Sequence, residues 1–185
     1  IETTGLSAKK SICYLIGCVY YQDNIWQYIQ WFADTPSEEA AIINAFLDFC
    51  ENYTHLIHFN GDSFDIPFLT ERCKILNISE PFGNLESIDL YKYARPLKNV
   101  LKLENCRQKT IEQFLGLPRT DEYDGGELIK IYKDYVKNTS LKNIMTANTA
   151  LSTPISDNMT AETNQALSLL LLHNPLNAAD FFHII

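Results

Sequence analysis

Two acidic residues stand where their surroundings favour chemistry. Glu2 lies in Ile1-Glu2-Thr3-Thr4-Gly5, an extended, β-branched segment that stops at a glycine. Asp65 closes His58-Phe59-Asn60-Gly61-Asp62-Ser63-Phe64-Asp65, just after the apolar run Thr54 to Phe59 and at the opening of a predicted helix. Each is a carboxylate at the end of a predicted strand, and in open α/β sheets sites form where strand ends, loops and helix starts converge. Two carboxylates brought together there repel, and they stay ionised only if a cation lies between them. The pattern predicts a divalent-metal site. Asp65 also falls in the first turn of its helix, where the dipole favours the ionised form. Asp62 and Ser63 are nearby capping candidates, which leaves Asp65 for a ligand role.

The elements that must position these acids follow the chain in order. Ile12 to Tyr21 and Ile25 to Phe32 are rich in β-branched and aromatic residues, with Gln22-Asp23-Asn24 between them, and predict an antiparallel hairpin. Thr35-Pro36-Ser37-Glu38 carries a capping-box spacing and a proline suited to a first helical position. The helix it opens runs to about Tyr53, with Ile42, Ile43, Phe46, Phe49 and Cys50 as its apolar face. Thr54 to Asn60 reads as a buried strand parallel to the first. The next helix runs from about Ser63 to Leu76 and tolerates Pro67 only in its first turn. Ser87 to Tyr91 is a short strand in which Asp89 is either a third acid near the site or a residue with a turn or hydrogen-bonding role. Short helices follow, one over Thr110 to Gly116 and one over Glu127 to Val136. Residues 139 to 163 are rich in Thr, Asn and Ser and lack apolar periodicity, which predicts an irregular insertion or linker within one domain spanning 1–185. A last helix starts near Asn164.

Composition bounds the function. The chain has 185 residues, 46% of them hydrophobic, enough for a single domain that buries about 70% of its unfolded surface. No apolar run approaches the ~18 residues of a membrane span, and no signal peptide opens the sequence. Five cysteines without a C-x-x-C pair predict reduced thiols used as small apolar residues in a cytoplasmic protein, and give no support for zinc. The net charge is −8, yet residues 92–109 hold Lys92, Arg95, Lys98, Lys102, Arg107 and Lys109 against the single acid Glu104, a local net of +5. That stretch is either a solvated face or a strip that contacts phosphates on an acidic body.

The opening I-E-T-T-G-L-S and the N-x-x-x-F-D arrangement of Asn60, Phe64 and Asp65 resemble the first two motifs of the DEDD 3′–5′ exonucleases, on the RNase H-like fold. Within that superfamily the YprB-like ribonuclease H-like domain is the nearest match. Tyr14-Leu15-Ile16-Gly17-Cys18, Ile88-Asp89-Leu90-Tyr91, Lys109 to Gly116, Gly125 to Ile129 and Leu170 to Asn174 fit it in the same order. The resemblance implies an α/β fold with a mixed central sheet, an antiparallel hairpin and helices on both faces. It also implies that Thr4, Asn60 and Phe64 shape a pocket for a terminal nucleotide, and that Lys98, Lys102 and Lys109 hold the backbone of a DNA or RNA 3′ end.

In the resembled family the first strand reads Asp-x-Glu. This sequence begins at x, Ile1, so only Glu2 of that pair is present: either the source sequence is trimmed or the site is incomplete. The family pattern H-N-x-x-D maps onto His173-Asn174-Pro175-Leu176-Asn177, with an amide in place of the acid and Asp180 one turn further on. By resemblance His173 positions or deprotonates the attacking water, work that a group of reference pKa near 6.5 suits at neutral pH. Glu2, Asp65 and either Asn177 or Asp180 would hold two Mg²⁺ or Mn²⁺ ions about 4 Å apart. An uncharged amide holds Mg²⁺ less well than a carboxylate does. The implied activity is metal-dependent 3′–5′ exonucleolysis. The alternative is a degenerate RNase H-like domain that binds nucleic acid or protein without cleaving, and a third reading is an endonuclease or junction resolvase of the same fold.

Overall fold

The computed structural model describes residues 1–79, 82–117, 125–138 and the backbone of 181–184. The predicted segment over 139–163, the last helix, His173, Asn177 and Asp180 lie outside the described residues. The elements are β1 (Glu2–Thr3), β2 (Cys13–Gln22), β3 (Ile25–Phe32), α1 (Glu39–Cys50), β4 (His55–His58), α2 (Asp65–Leu76), β5 (Glu86–Asp89), α3 (Leu90–Leu97), α4 (Gln108–Phe114), α5 (Gly125–Lys137) and β6 (Phe181–Ile184).

One mixed sheet carries them all. The hairpin β2–β3 is antiparallel in unbroken register from Leu15 opposite Phe32 to Gln22 opposite Ile25. Its two-residue loop, Asp23-Asn24, has φ of 54° and 64°, the left-handed pair that matches the twist of a hairpin. Leu15 pairs with Glu2 on its other side and Cys18 with Ile184, so β1 and β6 share the second edge of β2. β6 then pairs parallel with β4, and β4 pairs parallel with β5. Both β1 and β6 run antiparallel to β2, so β4 runs in the same direction as β1, as expected, with β6 beside it. The strand β6 was not foreseen from the sequence.

Side chains alternate across the sheet as strand geometry requires. Ile16, Cys18 and Leu56 face the main core, where Ile43 and Phe46 of α1 and Phe68, Leu69 and Cys73 of α2 cover them. Val19, Trp26 and Ile57 face the other way and pack with Tyr28, Ile88 and Leu90, the first residue of α3. Tyr132 of α5 stacks on Tyr14 at 4.0 Å, and Phe32 meets both Tyr132 and Tyr135 edge-on. Cys13, Cys18, Cys50 and Cys73 are buried as small apolar residues. The turn before α1 is held by Glu38, whose carboxylate accepts from the backbone N–H groups of Asp34 at 2.8 Å and Thr35 at 3.3 Å.

A buried ion pair joins the two helices that cover the main face. Glu39 is 2% exposed and Arg72 is 7% exposed. Arg72 donates from Nε at 2.8 Å and from Nη2 to the Glu39 carboxylate, and from Nη1 to the Ala8 carbonyl at 2.8 Å. The Cys13 backbone N–H donates to the same carboxylate at 2.7 Å. Removing one partner leaves a buried charge uncompensated, at a cost of about 3–5 kcal/mol. Arg72→Met therefore lowers unfolding free energy by about that amount in urea titration. Adding Glu39→Leu removes the uncompensated charge and recovers part of the loss, short by about 1–3 kcal/mol for the Cys13 N–H left without its acceptor.

Candidate metal centre and nucleic-acid cleft

The chain leaves β4 through a turn that no ordinary backbone makes. Asn60 takes φ 62° and ψ 17°, in the left-handed region that Asn tolerates better than most residues. Gly61 begins a single 3-10 turn over Gly61–Ser63. A Cβ at Gly61 would lie 2.8 Å from the ring of His58, so the close approach admits only glycine. The chain then enters α2 with Asp65 as its first residue.

A hydrogen-bond network braces this turn. The Gly61 N–H donates to Nδ1 of His58 at 3.0 Å, which assigns the imidazole proton to Nε2, 2.8 Å from Ser87 Oγ. Ser87 Oγ donates to Asp62 at 3.0 Å, and the Lys92 ammonium binds the same carboxylate. Asp89 caps α3 by accepting from the Tyr91 N–H at 3.0 Å and reaches across to the Asn60 N–H at 2.7 Å. Asp89 thus has the hydrogen-bonding role expected of it. Burial pushes the pKa of His58 down, against the opposing pull of Asp89, Asp62 and Asp65, so the ring is neutral at pH 7. The hydrogen bond from Lys92 holds the Asp62 carboxyl below its ordinary range.

His58, Asp62 and Asp89 have ligand atoms close enough to share a metal ion. Their bonds argue against that use. Both imidazole nitrogens are engaged, Lys92 already neutralises Asp62, and Asp89 is committed to two backbone N–H groups. This trio reads as a structural brace.

Glu2 and Asp65 form the second acidic group. They are 63 positions apart in sequence, yet the charge of Asp65 is near enough to raise the pKa of Glu2. Burial is the larger cause of that rise, and the α-ammonium of Ile1 opposes it. The same ammonium lies 3.3 Å from Asp65 Oδ1. Two partly buried carboxylates that feel each other's charge call for a compensating cation. This donor set, all hard oxygen, fits Mg²⁺ or Mn²⁺.

The remaining sequence candidates fall in different places. Thr4 is used locally: its Oγ1 accepts from the Ile12 N–H at 3.0 Å, closing the arch between β1 and β2. The Asn60 side chain accepts from Ser63 Oγ at 3.0 Å. Phe64 is half-buried and packs on Phe68, with centroids 5.4 Å apart. Lys98 and Lys102 lie on the connection after α3, Lys102 with φ 53°, and Lys109 is in α4. Between Asn60 and this basic stretch opens a cleft of about 470 Å³ lined by Phe59, Asn60, Tyr91, Cys106, Arg107 and Gln108. Its walls come from three separate segments: Asn60 belongs to the N-x-x-x-F-D arrangement, Tyr91 to the Ile88 to Tyr91 stretch and Arg107 to the basic stretch. Among the described residues no helix is long and apolar enough to cross a membrane.

A search of curated proteins finds no match to the chain. A family model described as the RNase H superfamily matches residues 1–149. The matched span holds Glu2, Asp65, the braced turn and the whole basic stretch; His173, Asn177 and Asp180 lie beyond it. By that match over most of its length, the chain belongs to the RNase H superfamily.

Proposed function

We propose that this domain is a metal-dependent 3′–5′ exonuclease of the YprB-like DEDD type, hydrolysing phosphodiester bonds at DNA or RNA ends in the cytoplasm. The observation that carries the reading is that Glu2 on β1 and Asp65 at the N-terminus of α2 lie near enough for each to feel the other's charge. RNase H superfamily membership supports it, since such domains act generally on nucleic acid and with divalent metals.

Glu2 and Asp65 would hold the cations, joined by an oxygen from Asn177 or Asp180. When bound, divalent ions there stabilise the charge on the attacking and departing oxygens. The chain's own residues do the rest. The neutral His58 and the bonded Asp89 keep the turn carrying Asn60 rigid, so that Asp65 is presented in one orientation. His173 accepts the proton of the attacking water at neutral pH. Lys98, Lys102 and Lys109 draw the strand onto the basic side by long-range attraction, which salt weakens.

Two experiments test this reading. Asp65→Asn should reduce Mn²⁺-dependent release of nucleotides from a 3′ end by about a hundredfold or more, since several kcal/mol of transition-state stabilisation depend on the cation. Wild-type chain that binds single strands but releases no nucleotide in Mg²⁺ or Mn²⁺ would favour the non-cleaving alternative. The second experiment separates the two acidic groups by calorimetry. Mn²⁺ binding should be lost in Asp65→Asn and kept in Asp62→Asn, while Asp62→Asn lowers the thermal midpoint by loosening the turn. Loss of Mn²⁺ binding in Asp62→Asn alone would move the metal to the His58 trio.

A further inference from the structure

The cleft beside Asn60 has no part in holding the carboxylate pair. Its volume, about 470 Å³, falls within the ~300–1,000 Å³ of small-molecule sites. Phe59 and Asn60 follow β4, Tyr91 comes from α3, and Arg107 and Gln108 form the entry to α4.

Its walls are fixed by two side chains outside it. One oxygen of Asp89 accepts from both the Asn60 and the Tyr91 N–H groups, so a single carboxylate sets the spacing of two walls. Asn105 fixes the third by accepting from the Arg107 N–H at 2.9 Å and from the Thr110 hydroxyl at 2.7 Å. Inside, Phe59 and Tyr91 meet edge to face, with centroids 5.9 Å apart and planes at 73°. Such an arrangement leaves ring surface for a third aromatic ring. The Arg107 guanidinium is exposed and makes no ion pair among the described residues.

A cleft with aromatic walls, an amide and a lone guanidinium at its rim asks for a flat π-system joined to an anion. We propose that it is a nucleotide subsite for single-stranded nucleic acid: one base stacks against Tyr91 and Phe59, and Arg107 takes its phosphate. Stacking is tolerant of sequence because every base has a π-face, and a guanidinium matches phosphate geometry by paired N–H donors. A base within a duplex does not offer both faces to a protein, which selects a single strand. Asn60 lines this cleft and stands five positions before Asp65, in the turn that opens α2. For the fate of that strand, though not for its binding, the subsite rests on the nuclease reading above.

The test is fluorescence anisotropy with the full chain, a labelled short oligothymidylate and an abasic strand of equal length, in EDTA so that no hydrolysis intervenes. Tyr91→Ala and Arg107→Ala should each weaken oligothymidylate binding by about tenfold, and Lys74→Ala, on the exposed end of α2, should leave it unchanged. The abasic strand should respond to Arg107→Ala and ignore Tyr91→Ala. Because Arg107 is exposed, Arg107→Glu keeps the fold and should abolish binding even if Tyr91→Ala proves unstable. Failure of the wild type to bind, equal binding by wild type and the Arg107 variants, or an equal effect of Tyr91→Ala on both strands would overturn the subsite. Hydrolysis in Mn²⁺ is read separately. Variants that lose binding while no chain cleaves uphold the subsite and reject the nuclease; cleavage with unchanged KM in both variants does the reverse.

Discussion

The carboxylate of Glu39 is the point on which the arrangement of the site depends. Glu2 is on β1 and Asp65 opens α2, and nothing in the local sequence of either dictates their meeting. Glu39 on α1 binds Arg72, which is on the same helix as Asp65, and also the backbone of Cys13, which is paired with Thr3 beside Glu2. Arg72 in turn reaches Ala8 in the arch between β1 and β2. One ion pair thus fixes the distance between the two ends that carry the acids. Burying two charges is expensive, and an apolar pair of equal volume is often as stable. A buried pair that bonds three segments at once specifies their relative position, which apolar packing alone does less sharply.

The second constraint is the turn between β4 and α2. A left-handed Asn60, a Gly61 pressed against an imidazole, and an Asp89 bonded to two backbone N–H groups leave the chain little freedom there. The consequence reaches in two directions. Toward α2 it fixes where Asp65 points. Toward α3 it fixes the cleft wall at Tyr91. His58 serves this turn only as a neutral ring, because its Nδ1 must accept a hydrogen bond, and the pKa depressed by burial keeps it so.

Much of the fold was legible in local pattern. The hairpin followed from alternation and its two turn residues, the start of α1 from Pro36 and Glu38, and the strand β4 from the apolar run up to Phe59. Glu2 and Asp65 were legible because each stood at the end of a strand pattern. The Glu39–Arg72 pair was not read from the sequence: Glu39 lies on the same helical stripe as Ile42, Ile43 and Phe46, and nothing local says that its partner is 33 residues away. The His58–Ser87–Asp62 chain was hidden for the same reason, and Asn60, Tyr91 and Arg107 stood out singly without any sign that they share a cleft, since each group is assembled from segments distant in sequence. The strand β6 was missed because the expected terminal helix left Phe181 to Ile184 without a partner, although aromatic and β-branched residues there favour a strand.

Charge explains how an acidic chain accommodates a polyanion. At physiological salt, exposed charges beyond about 8 Å are largely screened, so a phosphate held by Arg107 would feel its immediate neighbours more than the net charge of −8. Glu2 and Asp65 present the opposite case. They repel phosphate at close range unless a cation intervenes, and burial, with a smaller contribution from Asp65, raises the pKa of Glu2. On the proposed reading the domain would hold two determinants of opposite sense: a basic and aromatic side that attracts a strand without help, and an acidic side that admits the strand only with a cation. A strand gripped on the first side would then be committed to the carboxylates only when a cation balances their charge.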